Sequence, residues 1–402
     1  MTSQLSPLSR RLHVRSSATS ADRVEAGADE VATQRAWVEV NLAALRHNID
    51  VLQTLLGPSS ELWAVIKANA YGHGAIAVGR EAIAAGVSGL CVATLAEGIE
   101  LRQAGLSCPI LVLGALRTAA ELQAAAIAEL DVTVTAVEQI PVCEAVAATL
   151  QHPLPVHLKV DTGMSRLGVP WTEALAVWQQ LVSAPQLVER SLYSHFATAD
   201  ELHHPATIAQ HQRFQQVVNS LQASGLPLPP LHMANSAATL ANPQWHYQRV
   251  RVGLALYGLS PAPNLAASSR LQPILTVKAR IVHLHDVPAE TGVSYGHRYT
   301  TPAPTRLATV AIGYADGLPR RLSGCIRGYV RGQFIQQVGS VTMDQTIWDV
   351  GSIPDIAVGD VVDLFAGGLN VGQWAEVLDT IAYEILCGFS DRLPRRYLFG
   401  RI

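Results

Sequence analysis

Between residues 62 and 254 the chain alternates two textures. Short apolar or β-branched runs are followed by alanine-rich stretches in which apolar residues recur every three or four positions. The runs Leu62–Ile66, Leu90–Leu95, Ile110–Leu113, Val132–Thr135, Val156–Val160, Leu192–His195, Leu231–Ala234 and Val250–Leu254 predict eight strands. The intervening stretches Ala75–Ala85, Ala119–Ala128, Glu138–Leu150, Thr172–Leu181 and Thr207–Ala223 predict helices. Strand and helix repeated in this way predict an α/β fold, a TIM-like (β/α)₈ barrel. The rhythm breaks at Ser260-Pro261-Ala262-Pro263, and helical periodicity nearly vanishes beyond it. Thr276–Leu284, Leu307–Ile312, Ile335–Val338 and Val361–Leu364, set between Gly and Pro residues, predict a mainly β C-terminal domain. The expected organisation is a leader over 1–34, a barrel over 35–272 and a β-rich domain over 273–402.

Composition narrows the function classes. A chain of 402 residues is long enough for two or three domains of roughly 150 residues each. Its 29 basic and 32 acidic residues nearly balance, which argues against an electrostatic nucleic-acid binder. No stretch of about 18 residues is free of charges and helix breakers, so no membrane span is expected. The cysteines Cys91, Cys108, Cys143, Cys325 and Cys387 are odd in number and widely spaced, with no Cys-x-x-Cys pair. That pattern disfavours a disulfide framework or a zinc site and fits a reducing cytoplasm. Residues 1–34, rich in Ser, Arg and Ala, lack the apolar core of a secretion signal and are expected to form a disordered leader.

Candidate chemistry gathers at the ends of the predicted strands, the face on which barrel enzymes build their sites. Lys67 closes the first strand in Ala64-Val-Ile-Lys-Ala-Asn-Ala-Tyr-Gly-His-Gly74. Partial desolvation there lowers the proton affinity of an amine and suits it to Schiff-base chemistry, although a strand-end lysine standing alone is as a rule a solvated cation. Tyr71 and the glycines after it offer a hydroxyl and backbone donors. Ser236, Gly253 and Leu254 follow the seventh and eighth strands, where barrels commonly hold a phosphate. Lys159 to Gly168 sets charged groups among apolar neighbours, which demands pairing. His195 equally suits a core position, and the loops around Tyr295 and Met343 look, taken alone, like ordinary turns.

Taken together these strings resemble alanine racemase, a fold-type III pyridoxal 5'-phosphate enzyme, over residues 36–402. The resemblance rests on nine motifs in family order: the Lys67–Tyr71 string, Lys159 to Gly168 with Arg166, His195-Phe-Ala, Ala-Asn-Ser236, Arg251 to Gly258, Val-Ser-Tyr295-Gly, Gly-Tyr314-Ala-Asp-Gly, Met343-Asp344-Gln, and Tyr383-Glu-Ile-Leu-Cys. It implies that Lys67 carries the cofactor covalently and that Tyr71, Ser236, Gly253, Leu254 and Tyr383 surround its phosphate. Arg251 would face the pyridine nitrogen. Tyr295 would be the second catalytic base, oriented by His195 and Arg166, with Arg166 and the Met343 backbone holding the substrate carboxylate. Lys159 matches a position often carbamylated in such enzymes, Asp344 and Tyr314 are supporting residues, and Tyr295, Tyr314 and Tyr383 together imply a narrow gate suited to a small side chain.

The implied reaction is two-base racemisation of alanine, supplying D-alanine for peptidoglycan in the cytoplasm. Two acid/base groups must flank one carbon, and Lys67 and Tyr295 are the pair. They lie in different domains, and the resemblance implies that they meet across a homodimer. Three alternatives stand against this reading. A broad-specificity or serine racemase would be expected to lack part of the Tyr295, Tyr314 and Tyr383 gate; a decarboxylase would pair the ring nitrogen with a carboxylate where Arg251 stands; a non-enzymatic cofactor-binding barrel would lack the second domain. Thr342 departs from the pattern, standing where a cysteine is frequent.

Overall fold

The computed structural model describes residues 35–201, 203–262 and 265–399. The expected leader over 1–34 lies outside them. The first strand, β1 (Ala36–Asn41), is followed by a helix, Leu42–Gln53, that starts where the Asn41 side chain accepts the Ala44 N–H. Then come β2 (Glu61–Val65), β3 (Gly89–Val92), β4 (Ile110–Ala115), β5 (Asp131–Val134), β6 (Leu154–Asp161), the two-residue β7 (Val169–Pro170), β8 (Leu187–Tyr193), β9 (Leu231–His232) and β10 (Arg249–Val252). Strands β2 to β6 and β8 to β10 pair in parallel, and the β5–β6 and β10–β2 pairings close them into a barrel. All eight predicted strands are present. Their near-continuous apolar composition suits strands covered on both faces, inside by barrel side chains and outside by helices.

Helix starts are set locally. Thr94 and Thr118 each form a reciprocal capping box, with Glu97 and Glu121 respectively, and these open the helices Leu95–Gln103 and Ala119–Ile127. The long helix Pro205–Ala223 begins with proline at its first position, where the missing N–H has no intrahelical use.

The second sheet runs through β11 (Leu275–Val287), β14 (Thr305–Val310), β15 (Arg327–Val330), β16 (Gln333–Val338), β17 (Thr346–Asp349), β18 (Val361–Asp363) and β19 (Arg395–Leu398), with the short hairpin β12 (Gly292–Val293) and β13 (Tyr299–Thr300) beside it. Its strands are mostly antiparallel. Two features differ from the sequence reading. Strand β1 precedes the barrel in sequence yet belongs to this sheet, antiparallel to β11 (Val38 opposite Val277) and parallel to β19 (Val38 opposite Arg395). The boundary at 35 therefore assigns to the barrel a strand that is buried between β11 and β19, a partnership that no local pattern encodes. In addition, the helices Val371–Leu378 and Ala382–Gly388 interrupt the β-rich region, and the second of these carries Tyr383.

Candidate active site

Lys67 stands two residues beyond β2, at the C-terminal mouth of the barrel. The backbone after it coils with the wrong hand for L-residues: Ala68, Asn69, Ala70 and Tyr71 all have φ between 51° and 54°. Each such residue costs about 1–2 kcal/mol, so the turn persists only because its surroundings hold it. Glu97 accepts the Ala68 N–H (2.7 Å), the Asn69 side chain accepts the Ala75 N–H (2.7 Å), and His73 Nδ1 bonds the carbonyls of Ala70 (2.8 Å) and Tyr71 (2.9 Å). Arg395 donates to the Gly72 carbonyl (3.1 Å). Gly72, at φ 81°, is packed so closely on helix Ala382–Gly388 that a Cβ would come within 2.3 Å of the Leu386 carbonyl oxygen. The same contact brings the Tyr383 ring to 5.7 Å from that of Tyr71.

Tyr71, Ser236 and Gly253 converge beside this turn. A Cβ on Gly253 would lie 2.6 Å from the Tyr71 hydroxyl, so glycine is what lets the phenol reach that point. Ser236 Oγ accepts the backbone N–H groups of Gly253 (3.0 Å) and Ala255 (3.3 Å), which leaves its own hydroxyl hydrogen free to donate. Leu254 opens the single turn Leu254–Tyr257, where first-turn N–H groups have no partner within the helix. Two hydroxyls and an amide on small, closely packed residues make a donor set suited to a phosphate.

Deeper in the barrel, Arg251 is buried beside the Tyr193 ring, with its guanidinium 4.9 Å from the ring centroid. It donates to the Ser194 carbonyl (2.7 Å), to His232 Nδ1 (2.7 Å) and to His195 Nδ1 (3.2 Å). Burial and the cations Arg251, Lys159, Arg166 and Lys67 hold His195 well below the usual histidine range, so it is neutral and accepts from Arg251. Lys159 is buried without a carboxylate partner among the described residues; burial, then Arg251, Arg166 and Lys67, push its ammonium down to about 8. Burial and Arg166 lower the proton affinity of Lys67, and Glu97 opposes them. Arg166 sits exposed on the Thr162–Gly168 loop, whose shape is set by Asp161 accepting the N–H groups of Gly163, Met164 and Ser165.

Tyr295, Tyr314 and Met343 form a separate group. They are 72%, 41% and 53% exposed and belong to interlocked loops of the second domain. Ser340 donates to the Tyr295 carbonyl, and the Tyr314 and Ala315 N–H groups donate to the Thr342 and Met343 carbonyls. Asp344 pairs with Arg392 (2.7 Å). Among the described residues no hydrogen bond, ion pair or ring contact joins Tyr295 or Met343 to Lys67, Arg166, His195 or Arg251. Within one chain, then, the barrel residues of the expected site come together with Tyr383 of helix Ala382–Gly388, and the second-domain loops bearing Tyr295 and Met343 do not join them.

Three supporting residues escaped the sequence reading: Glu97, Asn69 and His73. The Thr94-x-x-Glu97 spacing of a capping box was a local signal for Glu97, but its bond to the Lys67 turn is a tertiary contact. Nothing local pointed to the carbonyl contacts of His73.

Family models described as the N-terminal and C-terminal domains of alanine racemase match residues 40–261 and 274–397. Alanine racemase of a Nostoc species is 47% identical over 369 residues, covering 90% of this chain and 96% of the relative. That of a Synechocystis species is 48% identical over 366 residues, covering 90% and 98%. Among solved structures, alanine racemase of Clostridium difficile superposes with a TM-score of 0.87 at 35% identity, covering 92% of this chain and 97% of that one. The enzyme from Streptomyces coelicolor gives 0.86 at 38% identity, covering 92% and 100%. With both domains matched and the expected barrel-mouth residues gathered, the chain belongs to the alanine racemase family, isomerases that interconvert L- and D-alanine.

Proposed function

We propose that this racemase works with pyridoxal 5'-phosphate in the mouth of the barrel, in a site completed by a second copy of the chain. The observation that carries the cofactor assignment is the convergence of Tyr71, Ser236 and the close-packed Gly253 on one point beside Lys67. The chemistry of these donors fits a phosphate, and the lowered proton affinity of Lys67 fits an amine that bonds an aldehyde. Tyr71, Ser236, Gly253, Leu254 and Tyr383 would hold the phosphate, Lys67 the aldehyde carbon and Arg251 the ring nitrogen.

When bound, the cofactor withdraws electrons from the alanine Cα and so acidifies its proton. Lys67 takes or returns that proton on one face. Tyr295 of the partner subunit serves the other face, because inversion requires acid/base groups on opposite sides of the same carbon. Arg166, which has no hydrogen-bond or ion-pair partner among the described residues, binds the substrate carboxylate together with the partner's Met343 backbone. His195 donates from Nε2, since its Nδ1 already accepts from Arg251. Arg251 keeps its proton and donates to the ring nitrogen, which limits electron withdrawal and disfavours amino-group transfer. Lys159, a poorly solvated amine among three cations, is suited to carbamylation, which would place an anion beside Arg166.

The exposure of Tyr295, Tyr314 and Met343 on one domain, with Lys67 and Arg166 on the other, supports a homodimer with two shared sites. The five cysteines are free thiols, in keeping with the reducing cytoplasm, where D-alanine would be made for peptidoglycan. No helix among the described residues is long and apolar enough to cross a membrane. Borohydride reduction of the purified enzyme followed by peptide mapping tests the cofactor site. Label on Lys67 is expected; label on Lys159 or Lys278 instead would overturn it.

A further inference from the structure

Arg251 is buried, yet each of its side-chain hydrogen bonds goes to a neutral group, although a buried cation demands compensation. A line of buried polar side chains leads from it across the barrel. His232 Nδ1 lies 2.7 Å from Arg251, His232 Nε2 lies 2.6 Å from Ser191 Oγ, Ser191 Oγ lies 2.5 Å from His157 Nδ1, and His157 Nε2 lies 2.9 Å from Asp131 Oδ2. Asp131 is the first residue of β5, at the mouth opposite Lys67, in a cleft lined also by Arg102, Glu129, Arg190 and Arg249.

The two ends dictate every proton between them. Arginine only donates, so His232 Nδ1 accepts and its proton sits on Nε2. Ser191 accepts that proton and turns its own toward His157 Nδ1. His157 then carries its proton on Nε2 and donates to the Asp131 carboxylate. All four bonds point one way, from the cation to the anion, and successive bonds in such a chain polarise one another. Burial holds both histidines below their usual range, so neither takes a second proton to break the direction. The His232 ring is also held in place: it stacks on Tyr193 at 4.7 Å, and the Tyr193 hydroxyl is bonded to Thr133 (2.9 Å).

We propose that Asp131, acting through His157, Ser191 and His232, is a remote positioning residue for Arg251, fixing the histidine tautomers and supplying the counter-charge for its guanidinium. The consequence for the ring nitrogen rests on the cofactor reading above, whereas the relay itself is a property of the protein alone.

The test is nitrogen NMR on protein labelled with ¹⁵N-histidine, with and without pyridoxal phosphate. In the parent, His157 and His232 should both be Nε2-protonated. Asp131→Asn removes the charge at nearly constant shape and should shift the ring nitrogens of His157 and also those of His232, two bonds further along. Ser191→Ala interrupts the relay, and in that background Asp131→Asn should no longer move His232, a coupling that mere structural support would not show. In the loaded enzyme Asp131→Asn should lower kcat by roughly tenfold with KM little changed, as when a supporting shell is removed. Unmoved His232 resonances in Asp131→Asn, or a shift that persists in the Ser191→Ala background, would overturn the relay. Both outcomes are read on cofactor-free protein and so are separate from any failure of the borohydride test at Lys67.

Discussion

The carboxylate of Glu97 accepts the backbone N–H of Ala68 at 2.7 Å, one residue after Lys67, and with its other oxygen accepts those of Ala93 (2.7 Å) and Thr94 (3.0 Å). One side chain thus ties the strained turn to the start of helix Leu95–Gln103. Glu97→Ala leaves these donors unmatched and should lower stability by about 1–3 kcal/mol, with loss of kcat as Lys67 loses its fixed position. Glu97→Gln keeps one acceptor and should fall between. Urea unfolding paired with racemase kinetics checks the order; equal values for parent and Glu97→Ala would refute it.

Gly253 and Tyr71 make a second coupled pair. Gly253→Ala should weaken pyridoxal phosphate binding, because the new methyl would lie 2.6 Å from the phenol oxygen and must push it from the donor set. Tyr71→Phe in the same chain leaves the next ring atom at 3.1 Å and should recover most of the lost thermal stability but not the cofactor affinity. Fluorescence titration and thermal melts separate the two effects, and additive losses would contradict the geometry.

Lys159 provides a pH signature. Its ammonium is pushed down to about 8 from an ordinary 10.5, so the folded state resists its charge. The resulting penalty, about 3 kcal/mol, is fully present below pH 8 and fades as pH rises toward 10.5. In buffer free of carbon dioxide, Lys159→Met should therefore be more stable than the parent at pH 7, and the advantage should shrink above pH 8. Bicarbonate should reduce it at pH 7, because carbamylation replaces the cation with a carboxylate anion beside Arg166. A pH-independent difference would show that Lys159 is not a desolvated cation.

A site shared between two chains, as proposed, predicts complementation. Lys67→Ala and Tyr295→Phe chains, each inactive, should regain activity when mixed under conditions of subunit exchange, since each mixed dimer has one intact site. Random reassortment of equal amounts gives roughly a quarter of the parental rate. Exchange without recovery would place both bases in one chain.

The eight barrel strands and most of their helices were legible in sequence because each is specified by local patterning: buried parallel strands are apolar throughout, and their helices carry a three-to-four repeat. That Lys67, Tyr71 and Ser236 follow strand ends, where barrels place chemistry, was legible from the strand pattern, whereas Arg251 was singled out only through the resemblance to alanine racemase. What remained hidden was non-local. Strand β1, Ala-Trp-Val-Glu-Val-Asn, precedes the barrel strands in sequence, and only its pairing with β11 and β19 assigns it to the second sheet. The left-handed coil at Ala68–Tyr71 runs against the preference of every non-glycine residue in it and is held by Glu97, His73, Arg395 and helix Ala382–Gly388, all but His73 distant in sequence. The Arg251–Asp131 line draws its members from β10, β9, β8, β6 and β5, aligned only when the barrel closes. Local physics determined the elements and the end of the barrel that bears the chemistry. Closure of the barrel and packing of the second domain decided which hand the turn takes, which buried polar groups face one another and which residues of the second domain remain exposed.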